Sequence, residues 1–201
     1  MAKQAERTAK TRGHIIAIAT SIFAEKGYAN TSLSDVVDQT GLTTGAIYHH
    51  FGGKQQLFIE VAKGVEQRIL DEIVARSVDT GRGWESFEAS VLLTLEICTR
   101  PDIQRIVFQD APTVIGAVEW RAIEVQYGFG LMHRALEALN RNGIIKVANT
   151  ELTAQMLLGA LVEATHIVAT SPRKAPVLKA AKATMRQLLS ALPCNSSGSN
   201  K

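Results

Sequence analysis

Apolar residues recur every three to four positions along almost the whole chain. No alternating runs bounded by turn dipeptides appear at the roughly 8–12-residue spacing of a β-rich fold. The pattern predicts an all-α protein of about nine helices. In the first, Ile15, Ala19, Ile22 and Phe23 share one face, and Gly27 stops the helix after Glu25 and Lys26. A second is expected from Ser32 or Leu33 to just before Gly41, and a third over 43–51, closed by Gly52 and Gly53. From Lys54 a long helix carries Leu57, Phe58, Val61, Val65, Ile69 and Ile73, and the segment 79–83 (Asp-Thr-Gly-Arg-Gly) breaks it. Helices follow over 84–99 and from Pro101, with Pro112 as the next divider. One long segment then runs to Asn142 and Gly143, the clearest C-cap in the chain. Two more helices, 151–169 and 175–192, flank Ser171 and Pro172.

This order divides the chain into an N-terminal head of three short helices, residues 1–53, and a larger helical body, residues 54–192. The Asn/Ser/Gly-rich tail, 193–201, is expected to be disordered.

The head carries the most specific pattern. Leu33, Val36 and Val37 give its second helix an inner face, with Ser32 available as N-cap. Gly41 supplies a residue that takes positive φ in the tight turn between two steeply crossed helices. Leu42 fills the angle, Thr43 can cap the next helix, and Ile47 and Phe51, four apart, face inward. Thr44, Gly45, Tyr48 and His49 are left on the outer face near the start of that helix, where a recognition helix meets base edges and phosphates.

Charge changes the picture only through its distribution. The chain has 201 residues with 22 Lys and Arg against 19 Asp and Glu, an excess too small to identify a partner. Yet no carboxylate occurs between Asp38 and Glu60. Lys54 opens the following helix, where its ammonium and the backbone N–H groups can both reach a phosphate. The arm 1–12 carries Lys3, Arg7, Lys10 and Arg12 against Glu6 alone, which predicts salt-dependent, sequence-independent affinity for nucleic acid. A helix–Gly–helix segment alone also occurs in helical bundles that bind nothing. The acid-free face, Lys54 and the basic arm are what tip the reading towards DNA.

Residues 12–60 resemble the N-terminal domain of TetR-type repressors. The resemblance is carried by the apolar helix 16–27 with Phe23, Glu25, Gly27 and Tyr28, by Thr31-Ser32 and Asp35-Val36, and by Gly41-Leu42. It continues through Ile47-Tyr48, Phe51, Lys54 and Leu57, about a quarter of the chain in all. It implies an all-α homodimer that sets two recognition helices in successive major grooves of a palindromic double-stranded operator. By position, Thr31, Thr43, Thr44, Tyr48, His49 and Lys54 match places where this family contacts DNA, with Tyr48 on phosphate. One departure is Gly52-Gly53, where the family usually has a residue that can cap the fourth helix.

For the body the resemblance implies a pocket for an unidentified small-molecule effector. Its candidate lining is Phe87, Phe108, Trp120, Tyr127 and His166, with Trp84 and Met132 beside them. An aromatic or Met at helical spacing is more often a core residue than a ligand wall. Asp110 and Pro112 are read as shaping a helix junction. The last two helices bear wide apolar stripes, Leu157 to Val168 and Val177 to Leu192, which suit a four-helix dimer interface or else the monomer core.

Other function classes find little support. Glu163 and His166 form an E-x-x-H pair, but a di-iron bundle needs a second copy and two further glutamates, and no other E-x-x-H occurs; a polar contact inside the body is expected instead. No G-x-S-x-G, H-E-x-x-H or phosphate-binding glycine motif occurs, so no enzyme, metal or cofactor is expected. Cys98 and Cys194 read as thiols in a reducing compartment. No uninterrupted apolar run reaches the roughly 18 residues that span a bilayer, and a cytoplasmic protein without a membrane partner is expected. An effector-free or protein-antagonised regulator is the second reading.

Overall fold

The computed structural model describes residues 2–76 and 83–193. Helix α1, Ala2–Lys26, buries Ile15, Ala19, Ile22 and Phe23 as the spacing requires and ends at Gly27, whose φ is 76°. Two short helices follow, α2 (Leu33–Thr40) and α3 (Thr44–Phe51), then the long α4 (Lys54–Arg76). Among the described residues there is no strand, only an isolated bridge between Ile145 and Pro193. Pro193, expected in the loose tail, is therefore tied to the body; the rest of that tail, with Cys194, lies outside the described residues.

Beyond α4 come α5 (Gly83–Ile97), α6 (Pro101–Ile103), a π-helical segment (Gln104–Asp110) and α7 (Ala111–Ile115). The last helices are α8 (Ala117–Glu124), α9 (Gly128–Arg141), α10 (Thr150–Thr170) and α11 (Lys174–Leu189). Most of the expected break at 79–83 lies outside the described residues.

Two expectations are corrected. Pro112 divides nothing: it sits in the first turn of α7, which continues directly from the π-helical segment, and the helical run breaks instead at Gly116. The segment up to Asn142 is two helices, α8 and α9, separated by a turn at 125–127. There the Val125 carbonyl approaches Gly130 so closely that any Cβ would collide with it.

Contacts divide the chain into two compact units, one of Met1–Gln67 with Pro101–Ile123, the other of Arg68–Arg100 with Glu124–Lys201. In the first, α1 packs on α2, α2 on α3, and α1 also on α6 and the π-helical segment. Its aromatic centre joins Phe23, Tyr28 and Phe58: the Phe58 ring stands edge-on to Phe23 at 5.1 Å and to Tyr28 at 5.0 Å. The second unit packs α5, α9, α10 and α11 around one apolar core containing Phe87, Leu95, Phe129, Leu136, Leu157 and Leu189.

Ion pairs fasten the second unit. Lys182 on α11 donates to Glu96 on α5 at 2.6 Å, and Arg100 grips both oxygens of Glu72 at 2.6 Å each, with Arg76 adding a bond of 2.7 Å. The Arg100 guanidinium, then Arg76, holds the Glu72 carboxyl down at about 2. A depressed carboxylate contributes stability that is present above its ordinary pKa and lost as pH falls through the folded value. Thermal melts of the native chain and Glu72→Gln are therefore expected to differ above pH 4.5 and to converge as pH falls to about 2. A difference that persists undiminished at the acid end would refute this origin.

Candidate nucleic-acid interface

Local hydrogen bonds fix the entry to α2. The Ser32 hydroxyl accepts from the Asp35 N–H at 3.1 Å while the Asp35 carboxylate accepts from the Ser32 N–H at 2.7 Å, a reciprocal capping box. Lys26, in the last turn of α1, pairs with Asp35 at 2.5 Å and ties the two helices. The Lys26 ammonium, helped by Ser32, holds Asp35 well below the usual carboxylate range, and Asp35 in turn raises Lys26.

Gly41 makes the turn. Its φ of 67° is left-handed, and its N–H closes α2 on the Val37 carbonyl at 2.9 Å. Thr43 then caps α3, its hydroxyl accepting from the Ala46 N–H at 3.2 Å. Ile47 and Phe51 are buried, and Thr43, Thr44, Gly45, Tyr48 and His49 are exposed, with the Tyr48 side chain 54% accessible. These five expected contact residues thus share one surface. Gly52, with φ 79°, closes α3 on the Tyr48 carbonyl, and the Gly53 carbonyl accepts the Leu57 N–H to start α4. The glycine pair thus makes this junction through backbone bonds.

The other expected contacts are placed differently. Thr31 is buried at 3% exposure, and its hydroxyl donates to the Gly27 carbonyl at 2.8 Å, closing the end of α1. It supports the head from inside and is not on the reading surface. Lys54 is half-buried, its ammonium 4.1 Å above the centre of the Tyr28 ring. Burial pushes the Tyr28 phenol up, so the ring stays neutral beneath that cation.

The basic arm is not a loose arm: α1 is helical from Ala2. Arg7 and Lys10 are exposed on it. Arg12 is spent internally, donating to the His50 carbonyl at 2.7 Å, pairing with Glu60, and lying 4.5 Å over the Phe51 ring. It therefore clamps α1 to the end of α3 and to α4 rather than offering a charge to solvent. The helical extension instead forms, with the end of α3, an open groove of about 620 Å³ lined by Gln4, Arg7, Thr8, Thr11, His49 and His50. His50 and the Arg12 clamp escaped the sequence reading; the return of acids at Glu60 was the one available signal.

The five effector candidates do not fall in one unit. Phe108 is half-buried and Trp120 buried in the first, whereas Phe87, Tyr127 and His166 belong to the second. Phe87 is in the core, its ring 5.7 Å from Trp84. Glu163 and His166, expected inside the body, lie on the exposed side of α10. That helix is long and apolar enough, by length and composition alone, to cross a membrane, with mean hydropathy 1.4, a test that the core helix of a soluble protein also passes.

Comparison with known proteins agrees with this geometry. A crystal structure of a TetR-family transcriptional regulator from Pectobacterium atrosepticum superposes with a TM-score of 0.78, at 31% identity over 94% of this chain and 97% of that one. The transposon Tn10 TetC protein of Escherichia coli is 26% identical over 78% of this chain and 79% of its own length. The transcriptional repressor KstR2 of Mycobacterium tuberculosis is 29% identical over 49% of this chain, which spans only 50% of KstR2. Residues 15–61 match the profile of bacterial regulatory proteins of the tetR family, and residues 84–192 that of the tetracyclin repressor-like C-terminal domain. With a helix-turn-helix head and a matching body on one chain, the protein belongs to the TetR family of DNA-binding transcriptional regulators.

Proposed function

We propose that this chain is a homodimeric cytoplasmic repressor that sets α3 of each protomer in the major groove of a palindromic operator and leaves it when a small molecule binds the helical body. The observation that carries this is the exposed, carboxylate-free surface of Thr43, Thr44, Gly45, Tyr48 and His49 on an α3 capped at both ends. Arg7 and the His49–His50 groove extend that surface towards flanking phosphates. Repression is supported by the likeness to KstR2, a transcriptional repressor.

Dimerisation through α10 and α11 is supported by large apolar side chains left exposed on a single chain. Leu152 (54%), Met156 (69%) and Ile167 (50%) lie on α10, and Leu188 (53%) on α11. Exposed large apolar side chains on the last two helices favour a second copy over water. Phe87 and Tyr127 remain the candidates in the second unit for contact with an effector, which must prefer the DNA-incompetent state. By linkage, operator DNA must then weaken the effector.

Selection from a random DNA pool is the direct test. It should return a palindrome whose half-sites lie about 10–10.5 base pairs apart, or a multiple of that. Light scattering at micromolar concentration should give twice the chain mass. A pool without enrichment would sink the DNA reading, and a clean monomer would sink the interface.

A further inference from the structure

We infer that Asp110, on the π-helical segment, is a positioning residue for DNA contact: its carboxylate holds the Tyr28 backbone, and the Tyr28 ring seats the Lys54 ammonium for an operator phosphate. The inference rests on the proposed reading that Lys54 faces phosphate, and adds a part of the chain with no place in the helix-turn-helix.

The geometry begins with the helix type. In the segment Gln104–Asp110 the hydrogen bonds run five residues back, as in the Ala111 N–H bond to the Ile106 carbonyl. In an α-helix of about 3.6 residues per turn, Arg105 and Asp110 would point about 140° apart. In the π register both side chains reach the same turn of the head. A Cβ placed on Gly27 would stand 2.8 Å from Arg105 Nη1 and 3.5 Å from Asp110 Oδ2, so both side chains reach this glycine, whose φ of 76° itself disfavours a side chain. Such π-helical turns are rare and concentrate at functional sites.

From that turn the contacts lead to DNA. The Asp110 carboxylate accepts the Tyr28 N–H at 2.8 Å. The Tyr28 ring is held by Phe23 at 5.9 Å and Phe58 at 5.0 Å, and the Lys54 ammonium stands 4.1 Å over it. The neighbouring α7 grips the same first turn of α4, since Gln55 Nε2 donates to the Val114 carbonyl at 2.9 Å. Residues 104–115 thus hold both the ring under Lys54 and the turn that bears it. Loss of the π register would turn Asp110 away and release the seat.

The experiment measures operator affinity across a salt series for the full-length protein with its selected operator. Asp110→Ala is expected to weaken binding by about tenfold and to reduce the salt slope by about one contact, as Lys54→Met does. The double variant should bind no worse than Lys54→Met alone. Asp110→Asn, which keeps an acceptor oxygen, should restore near-native affinity and slope. A slope unchanged in Asp110→Ala, or a loss that adds fully to that of Lys54→Met, would overturn the inference. So would an unchanged slope in Lys54→Met; if Tyr48→Ala still abolished binding, the DNA reading would survive that failure. Should Asp110→Ala not fold, Tyr28→Phe must keep the slope and Tyr28→Leu must lose about one contact; equal slopes would again overturn it.

Discussion

Phe58→Ala is expected to cost about 3–5 kcal/mol of stability. Phe58 has no exposed surface, and its ring meets Phe23 and Tyr28 edge-on at 5.1 and 5.0 Å. Removing it takes away the apolar area of a whole ring, two aromatic contacts, and the support beneath Tyr28. The neighbours on α1 are fixed by buried Ile15, Ala19 and Ile22, so they can collapse only partly into the space. Urea denaturation of the purified protein gives the number directly. A loss below about 1 kcal/mol would mean that the aromatic centre is not packed as described.

Tyr48→Ala should do the opposite, removing binding and sparing the fold. The side chain is 54% exposed and rests only lightly on the head, with its ring edge near Gly53. Operator affinity should fall by a few-fold to a hundredfold, about 1–3 kcal/mol, while melting temperature and dimer mass stay nearly unchanged. Binding measured by fluorescence anisotropy at two salt concentrations checks it. Unaltered affinity would show that the reading face lies elsewhere on α3.

The reading head was legible because its signals are local. Ser32, Gly41, Thr43, Ile47 and Phe51 act within four residues of themselves, through caps, one left-handed turn and a helical stripe, and each stands where the spacing put it. What escaped depends on residues far apart in the chain. Arg12 looks like a solvated charge until the fold brings it to His50, 38 residues on, and Glu60, 48 residues on. Thr31 looks like an exposed hydroxyl until Gly27 takes it inside. The bond between Tyr28 and Asp110 spans 82 residues, and no helical periodicity announces a π register. Pro112 failed for a related reason: a proline in the first turn of a helix looks in sequence like one that divides two helices.

Gly45 has a consequence of a different kind. On the exposed side of α3 a methyl group there would meet nothing nearer than the Thr43 hydroxyl oxygen, 3.8 Å away, so the fold has no use for the missing side chain. Alanine would favour the helix by about 1 kcal/mol. The position is therefore open to change in evolution at no structural cost, and so are its exposed neighbours Thr44 and His49. Under the proposed operator contact, a descendant of this protein would acquire a new target sequence by drifting at these sites while its head stays folded. On the same proposal, these three positions are the natural ones to randomise when a regulator with altered specificity is wanted.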